Sequence, residues 1–242
     1  MSRDVIAMIP ARKGSQRLRL KNLALLDGRP VISYAIEAAK AAGVFRRIVV
    51  NADSQAFADV AREAGVEFHL RPEALGSSTT KADDVADEFM RAHPADSVAW
   101  VNPTSPLQTG EEVRAVVQHF LREDLDSLIT VALQQVHCVF QDRPINFDAS
   151  EPFAQTQQLT PVHAFVYSVM VWRTAVFRRE FEAKGYAMLA GRLGYYPVSK
   201  LSAVLIKTPE DLLIAEALLQ ARRRQAEIAY DARAGALLEA RS

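Results

Sequence analysis

One cysteine, Cys138, stands among 242 residues, so neither an internal disulfide nor a cysteine-built metal cage is available. No apolar run approaches the ~18–20 residues that a bilayer span requires. The first residues lack the charged-then-apolar pattern of a secretory leader. An excess of either charge is missing too, with 29 Lys and Arg against 29 Asp and Glu. Without a global field, nucleic acid is not an expected partner, and neither is a membrane. The expectation is a soluble, cytoplasmic protein. Repeats, low-complexity tracts and linker-like segments are also absent, and the length suits one α/β domain, 1–242.

Against that balance, residues 9–22 read I-P-A-R-K-G-S-Q-R-L-R-L-K-N. Arg12, Lys13, Arg17, Arg19 and Lys21 fall in this stretch with no carboxylate among them. The apolar run before it reads as a short buried strand that Pro10 ends. Gly14 and Ser15 mark a turn where backbone can approach a ligand. Open α/β sheets bind nucleotide phosphates on loops at the carboxyl end of a first strand. A merely solvated basic loop has the same composition, and spacing alone does not choose between the two.

Strand and helix patterns alternate to about residue 133. Strands are expected near 47–51, 66–70, 98–101 and 127–131, and helices over 31–42, up to 64, over 82–92 and over 111–121. Either Asp53 or Ser54 is placed to cap the helix that Gly65 stops. This rhythm argues for a doubly wound, mostly parallel sheet covered on both faces. It then breaks. Residues 139–140, 145–147 and 165–172 read as strands with no helix between them, either an antiparallel excursion or an arm reaching a second subunit. Residues 181–196 show a mixed pattern. A strand is expected again at 204–206, followed by Thr208-Pro209-Glu210-Asp211 as a helix start. That helix runs to about 224 and on toward the C-terminus.

The segments I-P-A-R-x-G-S with K-N, R-P-E-A-L, V-N-P-T-S-P-L and I-K-T-P-E-D-L together resemble the acylneuraminate cytidylyltransferases, or CMP-sialic acid synthetases, and their Kdo cytidylyltransferase relatives. The resemblance covers nearly the whole chain and is most specific in its first half. It implies a nucleotide-diphospho-sugar transferase (Rossmann-like) fold with a small β-rich lobe at 134–195 serving dimerisation and the sugar side. It further implies a homodimer, CTP and a sialic-acid-like or other 2-keto-3-deoxy sugar acid as substrates, and Mg²⁺ carried mainly by the nucleotide. By position, Arg12, Ser15 and Lys21 fall where the family holds the triphosphate, with Gly14 lending backbone donors and Asn22 completing the loop pattern. Arg71 falls at the nucleotide, where its guanidinium can reach cytosine. Asn102 stands at the sugar end, and Ser105 belongs to the matching substrate-binding segment. Gln157 and Tyr167 correspond more loosely to the sugar-binding half.

Departures from the family pattern are as informative. Gln16, Gln108 and His163 replace its usual Lys, Arg and Asn, and Asn102 replaces its Gln. Leu205 and Lys207 occupy the positions of the D-I-D pair that ligates metal in the family. Leucine offers no donor and lysine repels a cation, so no protein-built metal site is expected. Lys207 then either supplies a point charge to phosphate, making it a catalytic residue beside Arg12 and Lys21, or is simply a solvated strand end. Asp53 is read as a cap or as an orienter of metal-bound water, and Asp211 as a partner of the helix N-terminus. His137 and His163 are structural histidines or acid–base groups, and Trp100 and Trp172 are packing residues. Two functional readings follow: a cytidylyltransferase that releases pyrophosphate, or a nucleotide-binding homologue without turnover that serves as a partner or regulatory subunit.

Overall fold

The apolar run at the start of the chain forms β1 (Val5–Ala11), and every residue of it is buried. Seven consecutive apolar residues with no exposed face require cover on both sides. The computed structural model, which describes residues 4–224 and 228–234, supplies that cover. After β1 come a two-residue hairpin, β2 (Leu25–Leu26) and β3 (Arg29–Pro30), then α1 (Val31–Ala42), β4 (Arg47–Ala52), α2 (Ala58–Glu63) and β5 (Glu67–Leu70). The chain continues through α3 (Ala82–Ala92), β6 (Ser97–Val101), α4 (Gly110–Arg122) and β7 (Ser127–Gln134). A second hairpin, β8 (Val139–Phe140) and β9 (Arg143–Pro144), precedes β10 (Val162–Arg173), α5 (Thr174–Lys184), β11 (Leu193–Pro197) and α6 (Pro209–Arg223).

Seven of these strands make one sheet in the order β11-β7-β10-β6-β1-β4-β5. All its pairings are parallel except those of β10, which runs antiparallel to β6 and β7. On one face, Ile32 and Ile36 of α1 and Val113 and Phe120 of α4 pack against Ala7, Ile9 and Val50. On the other, Phe89 of α3 and Phe177 of α5 pack against Ile6, Met8 and Trp172. A third cluster joins Leu26, Tyr34, Leu107 and Ile206 to Ala215 and Leu219 of α6. The mixed, mostly parallel sheet with helices on both faces and two small antiparallel hairpins is the doubly wound architecture read from the strand–helix rhythm.

The differences lie in the second half. The apolar run 165–172 is part of a 12-residue strand, β10, that enters the main sheet rather than an arm. Helix α5 follows it directly; ten of its eleven residues are exposed or only partly buried around Phe177, which hides its period in the sequence. The sheet ends on β11, not on a strand at 204–206. Ile206 is fully buried there, but its N–H donates to the Thr104 carbonyl at 2.8 Å in a single bond rather than a ladder. Residues 145–147 are not a strand either; β9 lies just before them. Because β10 and α5 belong to the sheet and its cover, the part of 134–195 that stands off the sheet is roughly 135–161. The start of α6 is as read, with Thr208 capping, Pro209 in the first turn and Asp211 completing a capping box. Its continuation past 224 falls largely outside the described residues.

Candidate active site

The carboxyl ends of β1, β5 and β6 open into a cleft of about 260 Å³. Its lining comes from four places: the loop after β1, the segment from Arg71 into α3, the middle of β6, and the Asn102–Thr104 turn. Parallel strands place their carboxyl ends together, and the loops there converge on a ligand space.

The basic loop is shaped by two backbone features. Leu20 adopts φ 49°, a left-handed conformation uncommon for leucine, and directly precedes a 3₁₀ turn over Lys21–Leu23. That turn draws Lys21 and Asn22 inward, and Asn22 is 4% exposed with its Oδ1 lacking a partner among the described residues. The loop is also tied at its start, where Asp53 at the end of β4 accepts the Lys13 amide N–H through Oδ1 at 2.9 Å. Asp53 is therefore not the helix cap; Ser54 is, accepting the Ala56 N–H at 3.4 Å. Gly76 lies so close to Asp53 that a Cβ there would stand 2.6 Å from Oδ2. Gly14 shows no comparable constraint: its φ is outside the left-handed region and a Cβ would meet only ordinary contact at 3.7 Å.

Charge accumulates where the loop faces the cleft. Burial lowers the Lys21 pKa to about 8, and the positive charges of Arg12, Arg17 and Lys207 push it in the same direction, against a smaller opposing pull from Asp211. Lys207 reaches this cluster because Ile206 is bonded to Thr104 and the Lys207 amide donates to Asp211 Oδ2 at 2.8 Å. Asp211 also accepts the Thr208 N–H at 2.9 Å, so its carboxylate serves the start of α6. Arg12 lines the cleft and reaches across it to the Ser77 carbonyl at 3.5 Å.

Arg71 forms the buried floor. Its Nη2 donates to the Ala11 carbonyl at 2.7 Å and its Nη1 to Asn51 Oδ1 at 3.2 Å, while Nε has no acceptor among the described residues. Burial lowers its pKa, with the charge of Asp53 acting the other way.

The remaining sequence-derived residues divide. Asn102 lines the cleft, and both ends of its side-chain amide are engaged. Oδ1 accepts the Thr104 N–H at 3.0 Å and the Thr104 hydroxyl at 2.9 Å, and Nδ2 donates to the Tyr167 carbonyl at 3.1 Å. Gln108 braces the same turn by donating to the Asn102 carbonyl at 3.1 Å. Tyr167 sits at φ 60° in a bulge of β10 where the register slips between Phe165 and Met170, and Thr130 fills the gap by accepting the Val169 N–H. Ser105 does not line the cleft; it is fully buried and donates to the Ser202 carbonyl at 2.6 Å. Gln157 lies outside the cleft as well, on the exposed 135–161 segment. His137 stacks on Phe153 with centroids 4.0 Å apart, and His163 meets the edge of Tyr195 at 6.3 Å. Neither lines the cleft.

Sequence reasoning missed Ser77, Thr80 and Trp100 in the lining. The first two sit in the small-residue loop 76–80, whose hydroxyls of Ser77, Thr79 and Thr80 bond one another within 3.0 Å. A Gly-Ser-Ser-Thr-Thr run facing a basic loop was the available signal. Among the described residues no group of three or more His, Cys, Asp or Glu is arranged to hold an ion.

The sequence pattern described as cytidylyltransferase matches residues 6–146. The N-acylneuraminate cytidylyltransferase of Escherichia coli O18:K1:H7 is 33% identical over 119 residues, 49% of this chain and 28% of that protein. The CMP-N,N'-diacetyllegionaminic acid synthase of Legionella pneumophila is 38% identical over 120 residues, 47% of this chain and 52% of that one. The chain spans between 28% and 52% of the length of the curated relatives it matches. A solved structure of CMP:2-keto-3-deoxy-manno-octonic acid synthetase complexed with CTP superposes with a TM-score of 0.68, covering 90% of this chain and 99% of that one. At 17% identity that likeness speaks to the fold. With more than half of its length matched by the family pattern, and with this fold, the chain belongs to the cytidylyltransferase family, as a divergent member.

Proposed function

We propose that this chain is a CTP-dependent cytidylyltransferase that activates a sialic-acid-like or other 2-keto-3-deoxy sugar acid. The observation that carries the reading is the convergence of Arg12, Arg17 and Lys207 on a half-buried Lys21 at the mouth of the cleft. Four cations with one carboxylate, Asp211, beside them are unstable neighbours without a polyanion, and a triphosphate supplies the missing charge.

In the reaction, the anomeric hydroxyl of the sugar acid attacks the α-phosphorus. A P–O bond forms, the α–β phosphoanhydride bond breaks, pyrophosphate departs and the hydroxyl proton is lost. Such transfers depend on positioning and charge neutralisation. Arg12, Lys21 and Lys207 are assigned to the charge growing on the leaving pyrophosphate. Ser15, with the backbone at Gly14, is assigned to the phosphates. The free Nε of Arg71 suits a carbonyl of cytosine, and the free Oδ1 of Asn22 suits a hydroxyl or amine of the nucleoside. Tyr167, half-exposed beside the Asn102 turn, is assigned to the sugar, with Asn102 holding its backbone rather than touching substrate.

The family implies Mg²⁺, and the residues here do not fit a protein-held ion. Leu205 and Lys207 bring no oxygen ligand, and the Asp211 carboxylate is engaged by two backbone N–H groups. Mg²⁺ is assigned to the nucleotide, which carries it on phosphate oxygens and water. The same donor set favours the second reading, a nucleotide-binding homologue without turnover. The protein is further proposed to be a homodimer, joined through the exposed apolar surface of 135–161.

Release of pyrophosphate from CTP, measured with a panel of 2-keto-3-deoxy sugar acids, tests the assignment. Turnover with one acceptor supports the enzyme. Binding of CTP with no release for any acceptor supports the homologue, and no binding of CTP overturns both.

A further inference from the structure

Arg71 crosses the carboxyl ends of neighbouring strands. It directly follows β5, its amide N–H donates to the Ala52 carbonyl at the end of β4 at 2.9 Å, and its guanidinium reaches the Ala11 carbonyl at the end of β1 at 2.7 Å. The side chain therefore spans from β5 over β4 to β1, three adjacent strands of the sheet. At mid-span stands Asn51, whose Oδ1 accepts from Nη1 at 3.2 Å.

Asn51 is fully buried in β4. Its neighbours in register are Pro10 of β1 and His69 of β5, and His69 is occupied with Glu88 of α3, Nε2 to Oε1 at 2.8 Å. The Asn51 amide nitrogen meets only the Met8 sulfur, at 3.6 Å, a weak acceptor. A buried amide with one strong partner is costly beside a leucine of similar shape. What the amide achieves is a fixed guanidinium, on a side chain that otherwise has many rotamers. The acceptors that Arg71 finds among the described residues are all neutral, so its charge is held in place without an ion pair.

From this geometry we propose that Asn51, which does not itself line the cleft, is the positioning residue that presents Arg71 to the nucleotide as an unpaired cation. The inference rests on the nucleotide reading of the cleft given above. It separates two duties on one strand end: Asp53 shapes the basic loop through the Lys13 amide, and Asn51 aims the cleft floor.

The test is a double-mutant cycle on CTP affinity, read by calorimetric titration of the wild-type protein, Asn51→Leu, Arg71→Met and the two combined. Asn51→Leu is expected to weaken CTP binding about tenfold. Binding of inorganic triphosphate, which draws on the basic loop, should stay unchanged. In the Arg71→Met background the same substitution should alter CTP affinity by less than about twofold, because the group it positions is gone. Asn51→Ser, whose shorter side chain draws the acceptor back from Nη1, should give a partial loss and carries the same cycle if the leucine variant does not fold. Folded Asn51 variants that bind CTP as the wild type does overturn the proposal. So does a loss that persists in the Arg71→Met background, or one that falls equally on inorganic triphosphate. Failure of the wild-type protein to bind CTP overturns the nucleotide reading itself, and the role of Asn51 with it.

Discussion

Asp53 Oδ1 and the Lys13 amide, 2.9 Å apart, join the end of β4 to the loop that follows β1. Two adjacent parallel strands thereby fix the basic loop, and the acceptor is a buried carboxylate rather than another backbone group. Asp53→Ala removes the acceptor and leaves an amide without its partner, a loss of order 1–3 kcal/mol. The expected result is faster hydrogen exchange at the Lys13 amide and CTP affinity lower by roughly tenfold or more. Asp53→Asn, which keeps an acceptor oxygen, should recover most of both. Unchanged exchange at Lys13 in the alanine variant would show that the loop holds its shape without this tie.

Lys21 leads to a pH dependence with a definite sign. Its pKa in the folded protein is about 8, below the ordinary lysine value of 10.5. Between these two values the unfolded chain holds more protons, so the unliganded protein should gain stability as pH rises through this window. Nucleotide affinity should move the other way, falling as pH rises through about 8, because the cation that meets phosphate is being lost. Lys21→Met should raise the melting temperature of the free protein at pH 7 and weaken CTP binding about 10- to 100-fold, as expected for a lost charged hydrogen bond. A variant that binds CTP normally would remove Lys21 from the site.

The sequence made the first half of this architecture readable because strands and helices there alternate with clear periods. The helices 31–42 and 82–92 agree with α1 and α3. Beyond residue 133 the same signals mislead. The charged exterior of α5 masks its period, and a buried Ile206 looks like a strand although it packs under α6. Within the cleft, the basic loop, Asn22 and Arg71 were legible from residue type and motif. Asn102 and Ser105 show the limit of that approach: Ser105 matches the motif and Asn102 replaces its Gln, yet their side-chain hydrogen bonds hold the turn and the Ser202 segment. Trp100 was missed because an aromatic residue in a strand gives no hint of which neighbour leaves it uncovered.

The absence of an oxygen ligand at residues 205 and 207 predicts CTP binding that does not depend on a divalent metal. Wild-type affinity for CTP should differ by less than about fivefold, or ~1 kcal/mol, between EDTA and millimolar Mg²⁺. Replacing both residues, as Leu205→Asp with Lys207→Asp, should weaken binding in EDTA through like-charge repulsion and restore it with Mg²⁺, a hard cation suited to carboxylate oxygens. Lys207→Ala alone should weaken CTP binding without creating any metal response. A wild-type protein that binds CTP only with Mg²⁺ would contradict the cationic assignment of Lys207.

The 135–161 segment exposes Val139 at 64%, Phe140 at 65%, Ile145 at 53% and Phe153 at 83%. Isolated apolar residues on a surface need no explanation, but with Val136 at 50% there are five in one segment, more apolar exposure than water favours. Phe153 is partly accounted for within the chain, since it stacks on His137. Phe140 has no such partner in the aromatic contacts of the described residues and sits in the two-stranded hairpin with its side chain outward. A second copy of this chain is the proposed cover. Sedimentation of the wild-type protein should then give a dimer, and Phe140→Asp a folded monomer with an unchanged melting profile at low concentration. Because the cleft residues come from one chain, that monomer should still bind CTP. A wild-type monomer at micromolar concentration would leave the patch to a different partner and end the homodimer proposal.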